Sequence, residues 1–263
     1  MLAVSYGAGT NSTAMLVGMA SWGMRPDVIT FADTGGEKPE TYSYIDYFSQ
    51  WLEDNDMPVI TKVKYSGKWD SLEQECLGSG TLPSLAYGFK KCSHKWKLQP
   101  QDKFFNNNGE AKEVWAKGGK ITKAIGYDAG ESHRAIHIRE DEKYSYWYPL
   151  VEWLWNRRNC LEAIDEAGLR RPNKSACFFC PAMGKGEILQ LKNCHPDLID
   201  RAIAIEDAAL NNKGNPLMSI KGLGRDWSWK EFIVANEAQR EMFSDQGKIP
   251  CMCFDGDYGD EED

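Results

Sequence analysis

The chain has 263 residues, a formal net charge of −8, 10 Trp and 8 Cys. That length suits one large domain, or a domain with an appendage, and allows a sizeable core; the aromatic content excludes a disordered chain. The acidic balance excludes a general nucleic-acid coat, which needs a basic face, and no apolar run of about 18 residues is present to cross a membrane. Much of the negative charge sits in the tail "DGDYGDEED", expected to be a solvated end. Its counterpart is "FKKCSHKWK", where Lys90, Lys91, His94, Lys95 and Lys97 form a local cluster able to touch phosphate. No signal peptide is expected before the first strand, which implies a cytoplasmic location. There, cysteines are reduced, metal-bound or catalytic rather than disulfide-linked.

In chain order, residues 2–5 read as a buried strand, followed by "YGAGTNSTAML". Gly7 and Gly9 tolerate positive φ, so the stretch reads either as a plain strand-to-helix turn or as an anion cradle. In the second reading Asn11 or Ser12 caps a helix, and backbone N–H groups converge where the helix dipole is positive. Ser5, Thr10, Ser12 and Thr13 would add hydroxyls. The stretch is neither a Walker loop, lacking the Lys before Ser12, nor the dinucleotide fingerprint, whose glycine spacing differs.

A strand over 28–32 ends in the turn "DTGG". Pro39 then opens a helix with Tyr42, Ile45, Phe48 and Leu52 at helical spacing. "MPVITKVKY" reads as a strand, 66–90 as a long loop, "CSHKWKLQPQDKFFNN" as the start of a helix, and "KITKAIGYD" as another strand. Such alternation predicts an α/β fold with a mostly parallel twisted sheet and helices on both faces. Ligands of these sheets bind outside the carboxyl ends of the strands. Beyond Pro149 the chain reads as helical: one helix over "LVEWLWNRRNCLEAIDEAG", two more broken at Pro196, and a last one in "SWKEFIVANEAQREMF". The predicted organisation is therefore a nucleotide-binding α/β domain over 1–149 and a helical, Cys-bearing region with an acidic tail over 150–263.

Taken together, "DTGGEKPETYSYID", "KKCSHKWKLQP", "GYDAGESHRA" and "YPLVEW", with the glycine-rich first loop, resemble motifs of the PP-loop (adenine nucleotide alpha-hydrolase-like) superfamily. Within it they are similar, in kind and order, to the phosphoadenylyl-sulfate (PAPS) reductase family. The resemblance implies that Ser5, Gly7, Gly9, Thr10, Asn11 and Ser12 hold nucleotide phosphates. It implies that Asp33 and Thr34 lie by the adenosine, with Asp33 accepting from a ribose hydroxyl or holding magnesium. Gly126, Glu131, Ser132 and Arg134 would close the far side of the phosphates, with Ser12, Glu131 and Arg134 as the catalytic set. The bland alternatives are a surface salt bridge for Arg134 and a helix N-cap for Asp33.

The sequence also departs from the family. Tyr127 and Asp128 stand where the reductases carry arginines, and an Asp about 4 Å from a 3′-phosphate repels it by on the order of a few kcal/mol at intermediate dielectric. Asn11 replaces the acidic residue of the usual first loop, and the terminal Glu-Cys-Gly-Leu-His motif is absent. The resemblance then implies a PAPS reductase-like enzyme that binds ATP with Mg2+, cleaves it at the α-phosphate, adenylates an acceptor and transfers sulfur to it. The acceptor could be a nucleic acid, and a sulfur-donor protein would be a partner. Two alternatives stay open: a true PAPS reductase using Cys251 or Cys253, and a non-catalytic nucleotide-binding protein.

"CFFCP" places Cys177 and Cys180 two residues apart, a spacing fit for a metal, a redox dithiol or two buried small residues. By resemblance Cys92 joins them; Cys253 is the fourth ligand, with Cys251 or Cys194 and, more weakly, His94 or His195 as alternatives, and three thiolates with an open iron also fit. The expected group is a 4Fe-4S cluster, with zinc as the alternative. Cys76 and Cys160 read as structural.

Overall fold

The computed structural model describes residues 1–135 and 140–242. They form two compact units, Met1–Leu72 with Lys91–Cys177, and Glu73–Lys90 with the residues from Phe178 onward. The sequence boundary near Pro149 falls inside the first unit.

The first unit is built on a five-stranded sheet of order β3-β2-β1-β4-β5, with β1 Leu2–Ser5, β2 Val28–Asp33, β3 Ile60–Lys64, β4 Ile121–Ile125 and β5 Tyr144–Trp147. Every pairing is parallel, with Ala3 opposite Val28 on one side of β1 and opposite Lys123 on the other. Alternate residues of β1 serve opposite layers. Val4 joins a core with Met15, Leu16, Ile45, Phe48 and Ile164, while Ala3 packs with Phe105, Ala111, Ile121 and Tyr144. This is the α/β architecture expected from the alternation of elements.

Helix α1, Thr10–Ser21, is buried along most of its length because its residues are small or apolar all round. At Gly18 a Cβ would lie 2.7 Å from the Trp153 ring, so only glycine admits that indole. Helix α2, Pro39–Asp54, starts at Pro39 and buries Tyr44, Ile45, Phe48 and Leu52.

Three sequence expectations need correction. Residues 66–90 are not one loop: Leu72–Ser79 forms helix α3, and Ser84–Tyr87 a 3₁₀ turn. Only Leu72 and Cys76, one turn apart, mark the buried face of α3, too few to show a period. The strand "YSYW", β5, was unanticipated because its alternation, Tyr144–Ser145–Tyr146, lasts only three residues before Trp147 breaks it. The long helix expected after Pro149 is two, Pro149–Glu152 and the helix Arg157–Glu166, separated where Leu154 takes φ 58°. Asn156 restarts the chain with a capping box to Asn159.

Between β3 and β4 the first unit adds α4, Gln99–Asn107, and α5, Gly109–Ala116; Arg157–Glu166 is α6. A π-turn, His94–Leu98, leads into α4, with Gln99 N–H bonded back to the His94 carbonyl. Pro100 has no N–H for the Trp96 carbonyl one turn back, which favours the wider turn.

The second unit holds α7, Lys185–Cys194, α8, Pro196–Leu210, and α9, Trp229–Met242, with the break at Pro196 as expected. Its interior is organised by Glu206, fully buried on α8. The Glu206 carboxylate accepts from Leu223 N (2.7 Å), Ser228 Oγ (2.5 Å), Trp229 N (3.0 Å) and Lys230 N (3.1 Å). It thus fixes one loop and supplies acceptors to the first amides of α9.

Candidate functional site

The order β3-β2-β1-β4-β5 sends the chain outward from β1 on one side and then on the other. The carboxyl ends of β1 and β4 are therefore the switch point where α/β sheets take ligands. Two loops meet there, 6–9 and 126–131.

The first loop holds its shape internally. Tyr6 N donates to the Thr30 carbonyl (2.9 Å), and its hydroxyl meets Thr13 Oγ1 (3.1 Å). Ser12 Oγ accepts from Gly7 N (3.2 Å) and donates to the Gly9 carbonyl (3.1 Å), bracing the loop. The positive φ expected at a glycine falls instead on Ala8, at 56°. That conformation costs an L-residue about 1–2 kcal/mol, and such strain concentrates at functional sites. Gly9 is the α1 N-cap with no side-chain cap, so the first-turn amides of Thr10, Asn11 and Ser12 lack intrahelical partners. A Cβ built on Gly9 would meet no atom within 4 Å. The fold itself does not require glycine there, and open space lies over the helix start.

Asn11 ties the loops together. Its Nδ2 donates to Asp128 Oδ2 (3.0 Å) and Glu131 Oε2 (3.1 Å), while its Oδ1 accepts from Arg157 Nη1 (3.0 Å). At Gly126 a Cβ would sit 3.0 Å from Ser12 Cα and N, so glycine permits the close approach of the loops. Asp128 caps the turn Ala129–Glu131 by accepting from Glu131 N, and Ala129 N donates to the Trp155 carbonyl. Arg134 pairs with Glu131 and lies 4.1 Å over the Tyr127 ring. Ser132 is exposed at the start of the short helix Ser132–Ala135.

Not every residue expected at the phosphates faces this point. Ser5 Oγ donates to Gln101 Oε1 (2.8 Å), which also accepts from Thr30 Oγ1 (3.1 Å). Thr10 is buried in the first turn of α1. Asp33, at the end of β2, is 4% exposed and occupied: Oδ1 accepts from Gly35 N (2.8 Å) and Tyr42 hydroxyl (2.7 Å), and Oδ2 faces Lys64 Nζ at 3.0 Å. Burial alone would raise its pKa, but these bonds outweigh burial and hold the carboxyl below its ordinary range. It is not the N-cap of α2, a position held by Lys38. Thr34 Oγ1 lies 3.1 Å from Cys177 Sγ and accepts from Gly36 N (3.3 Å).

Sequence reasoning missed Arg157 and Glu37. Glu37 is buried, with Oε2 accepting from Ser175 Oγ (3.4 Å) and Oε1 in an ion pair with Lys97 Nζ at 3.7 Å. Burial pushes its pKa up, against the pull of Lys97. For Arg157 a signal existed, a cation at the first turn of a helix on the carboxyl side of the sheet, but its partner is 146 residues away.

The expected metal set does not assemble among the described residues. Cys92 is half-buried, and Cys177, in the same unit, is buried beside Glu37 through an isolated antiparallel bridge. Cys180 belongs to the other unit, and Cys253 lies outside the described residues. No group of three or more His, Cys, Asp or Glu there could hold a metal ion. Cys160 is a core residue whose thiol is pushed up to about 12 by burial and then by Asp128. Among the described residues no helix is long and apolar enough to cross a membrane.

The all-parallel sheet and its switch-point crevice define a Rossmann-like α/β protein. No family model matches the chain. It is 26% identical over 238 residues to the uncharacterized protein MJ0066 of Methanocaldococcus jannaschii, covering 86% of this chain and 45% of that protein. The chain thus spans less than half the length of this curated relative.

Proposed function

We propose that the chain is a PP-loop-type enzyme that binds ATP at the β1–β4 switch point and activates an acceptor by attack at the α-phosphorus. One observation carries the reading: the uncapped helix start meets open space at Gly9, next to the strained and buried Ala8, where the two loops are drawn together by Asn11. Amides and a helix N-terminus at such a point favour phosphate oxygens. The acceptor's nucleophile would form a bond to the α-phosphorus as the bridging oxygen to the β-phosphate leaves with pyrophosphate. The cradle amides would hold charge that builds on the leaving oxygens. The carboxylates near the cradle are all engaged, Asp128 by Asn11 and Glu131 N, Glu131 by Asn11 and Arg134, and Asp33 by Gly35, Tyr42 and Lys64, so a magnesium ion arriving with the triphosphate would be held by exchanging one of these bonds.

Gly9→Val tests this reading cleanly. Its added methyls enter space that holds no protein atom near the Cβ, so the melting temperature should stay close to wild type. Calorimetric binding of a non-hydrolysable ATP analogue should fall at least about tenfold, or about 1.4 kcal/mol. Unchanged affinity in the variant, or no binding by wild type, overturns the assignment.

A further inference from the structure

Helices α1 and α6 pack against one another in the first unit, and a cavity of about 510 Å³ lies along their last turns. That volume is in the range of small-molecule sites. Val17, Gly18, Ala163 and Ala167 supply apolar lining, and Trp22 and Trp155 supply two indoles. Trp22 is braced from behind. Its ring meets Trp153 edge-on with centroids 4.3 Å apart and lies 5.7 Å from Trp155. Trp153 is in turn seated on α1 at Gly18, the glycine that admits its indole. With this support Trp22 still leaves 51% of its surface exposed.

The polar lining is Ser21, Asn159, Glu162 and Glu166, with no Lys, Arg or His. Glu162 and Glu166 are one helical turn apart and share a face of α6. Glu162 is paired with Arg158 at 2.7 Å, an exposed pair that separates at little cost. Glu166 has no ion pair or hydrogen bond among the described residues. No basic residue stands in the last turn of α6, so the negative end of its dipole adds to the two carboxylates. Arg25, Arg170 and Arg171, which follow the two helices, are engaged by the Ala20 and Met24 carbonyls, the Tyr47 ring and Asp165. None of the three lines the cavity.

We propose that this cavity is a binding site for a small organic ammonium ion, an amine carrying an apolar chain. The ammonium lies against the Trp22 indole and faces Glu162 and Glu166, while the chain covers the apolar lining. Indole faces attract cations most strongly of the aromatic side chains. A metal ion is poorly served, since only two carboxylates line the cavity and no group of three metal-ligating side chains gathers among the described residues. The site is separate from the nucleotide cradle, which stands at the other end of α1, about 18 Å away along 12 residues.

Calorimetry of the full chain with hexylammonium, and with 1-hexanol as its uncharged counterpart, tests the proposal. Hexylammonium should bind with a dissociation constant below about 1 mM, and hexanol at least about tenfold more weakly. The double variant Glu162→Gln, Glu166→Gln should bind hexylammonium at least about tenfold more weakly. Its melting temperature should stay close to wild type, because both side chains are exposed. Trp22→Leu keeps an apolar wall without the π face and should lose about fivefold, with Trp22→Phe recovering part of the loss. Failure of wild type to bind hexylammonium, equal affinity for hexanol, or unchanged affinity in the double variant each overturns the proposal. Tighter binding of a trilysine peptide than of hexylammonium would overturn the assignment to a small molecule. Binding of the ATP analogue should be the same in all these variants, so loss of the nucleotide reading would leave this site standing.

Discussion

Asp33 and Glu37 are four residues apart, both buried, and displaced in opposite directions. Asp33 has its folded pKa lowered, so the stability it contributes is present above the unfolded value and lost as pH falls. Asp33→Asn should therefore melt below wild type at pH 7, with the gap closing below about pH 4. Glu37 has its folded pKa raised, so its contribution is complete below the unfolded value and lost as pH rises through the folded one. Glu37→Gln should gain on wild type as the pH rises above about 4, as followed by thermal melting. A Glu37→Gln deficit that widens with pH would show the Lys97 pair to dominate. Arg157 gives a residue-scale test of the site itself. Its Nη1 is on the Asn11 carbonyl, so Arg157→Ala should weaken ATP-analogue binding about fivefold with little change in melting temperature, since Arg157 is exposed.

Among the elements, the helix pair α8–α9 depends on one carboxylate. Replacing Glu206 by Ala leaves the amides of Leu223, Trp229 and Lys230 and the Ser228 hydroxyl without their acceptor in a buried setting. The expected loss is about 3 kcal/mol by urea unfolding of the second unit. Glu206→Gln should recover only part of it, because one of its two atoms is a donor facing donors. Elements built from local signals were legible in the sequence: α2 from Pro39 and its apolar spacing, the Pro196 break, and the strands ending in "SYGAG", "ADTGG" and "IGYD". Elements defined by what they pack against were not, as with four-residue β5 and α3. The site divides the same way. The glycine-rich loop announces itself, but Asn11 acquires its role from Asp128, Glu131 and Arg157, whose nearness only the sheet order creates. Ser5 reads as a phosphate donor until Gln101, 96 residues on, takes its hydroxyl.

At the scale of the molecule, the sheet order has a further consequence, in time rather than space. β1 is made first yet sits in the middle, with β2 on one side and β4 on the other. Leu2 pairs with Thr122, so on a ribosome adding about 5–20 residues per second that side of β1 waits on the order of ten seconds for its partner. Through that interval the nascent protein carries an unpaired apolar strand edge, the kind that recruits other chains. The cradle cannot close before β4 arrives, because Gly126, Asp128 and Glu131 follow it. Synthesis therefore has to pass the midpoint of the first unit before ligand can lend the fold any stability, and a chain stalled short of residue 121 exposes its most central strand to aggregation.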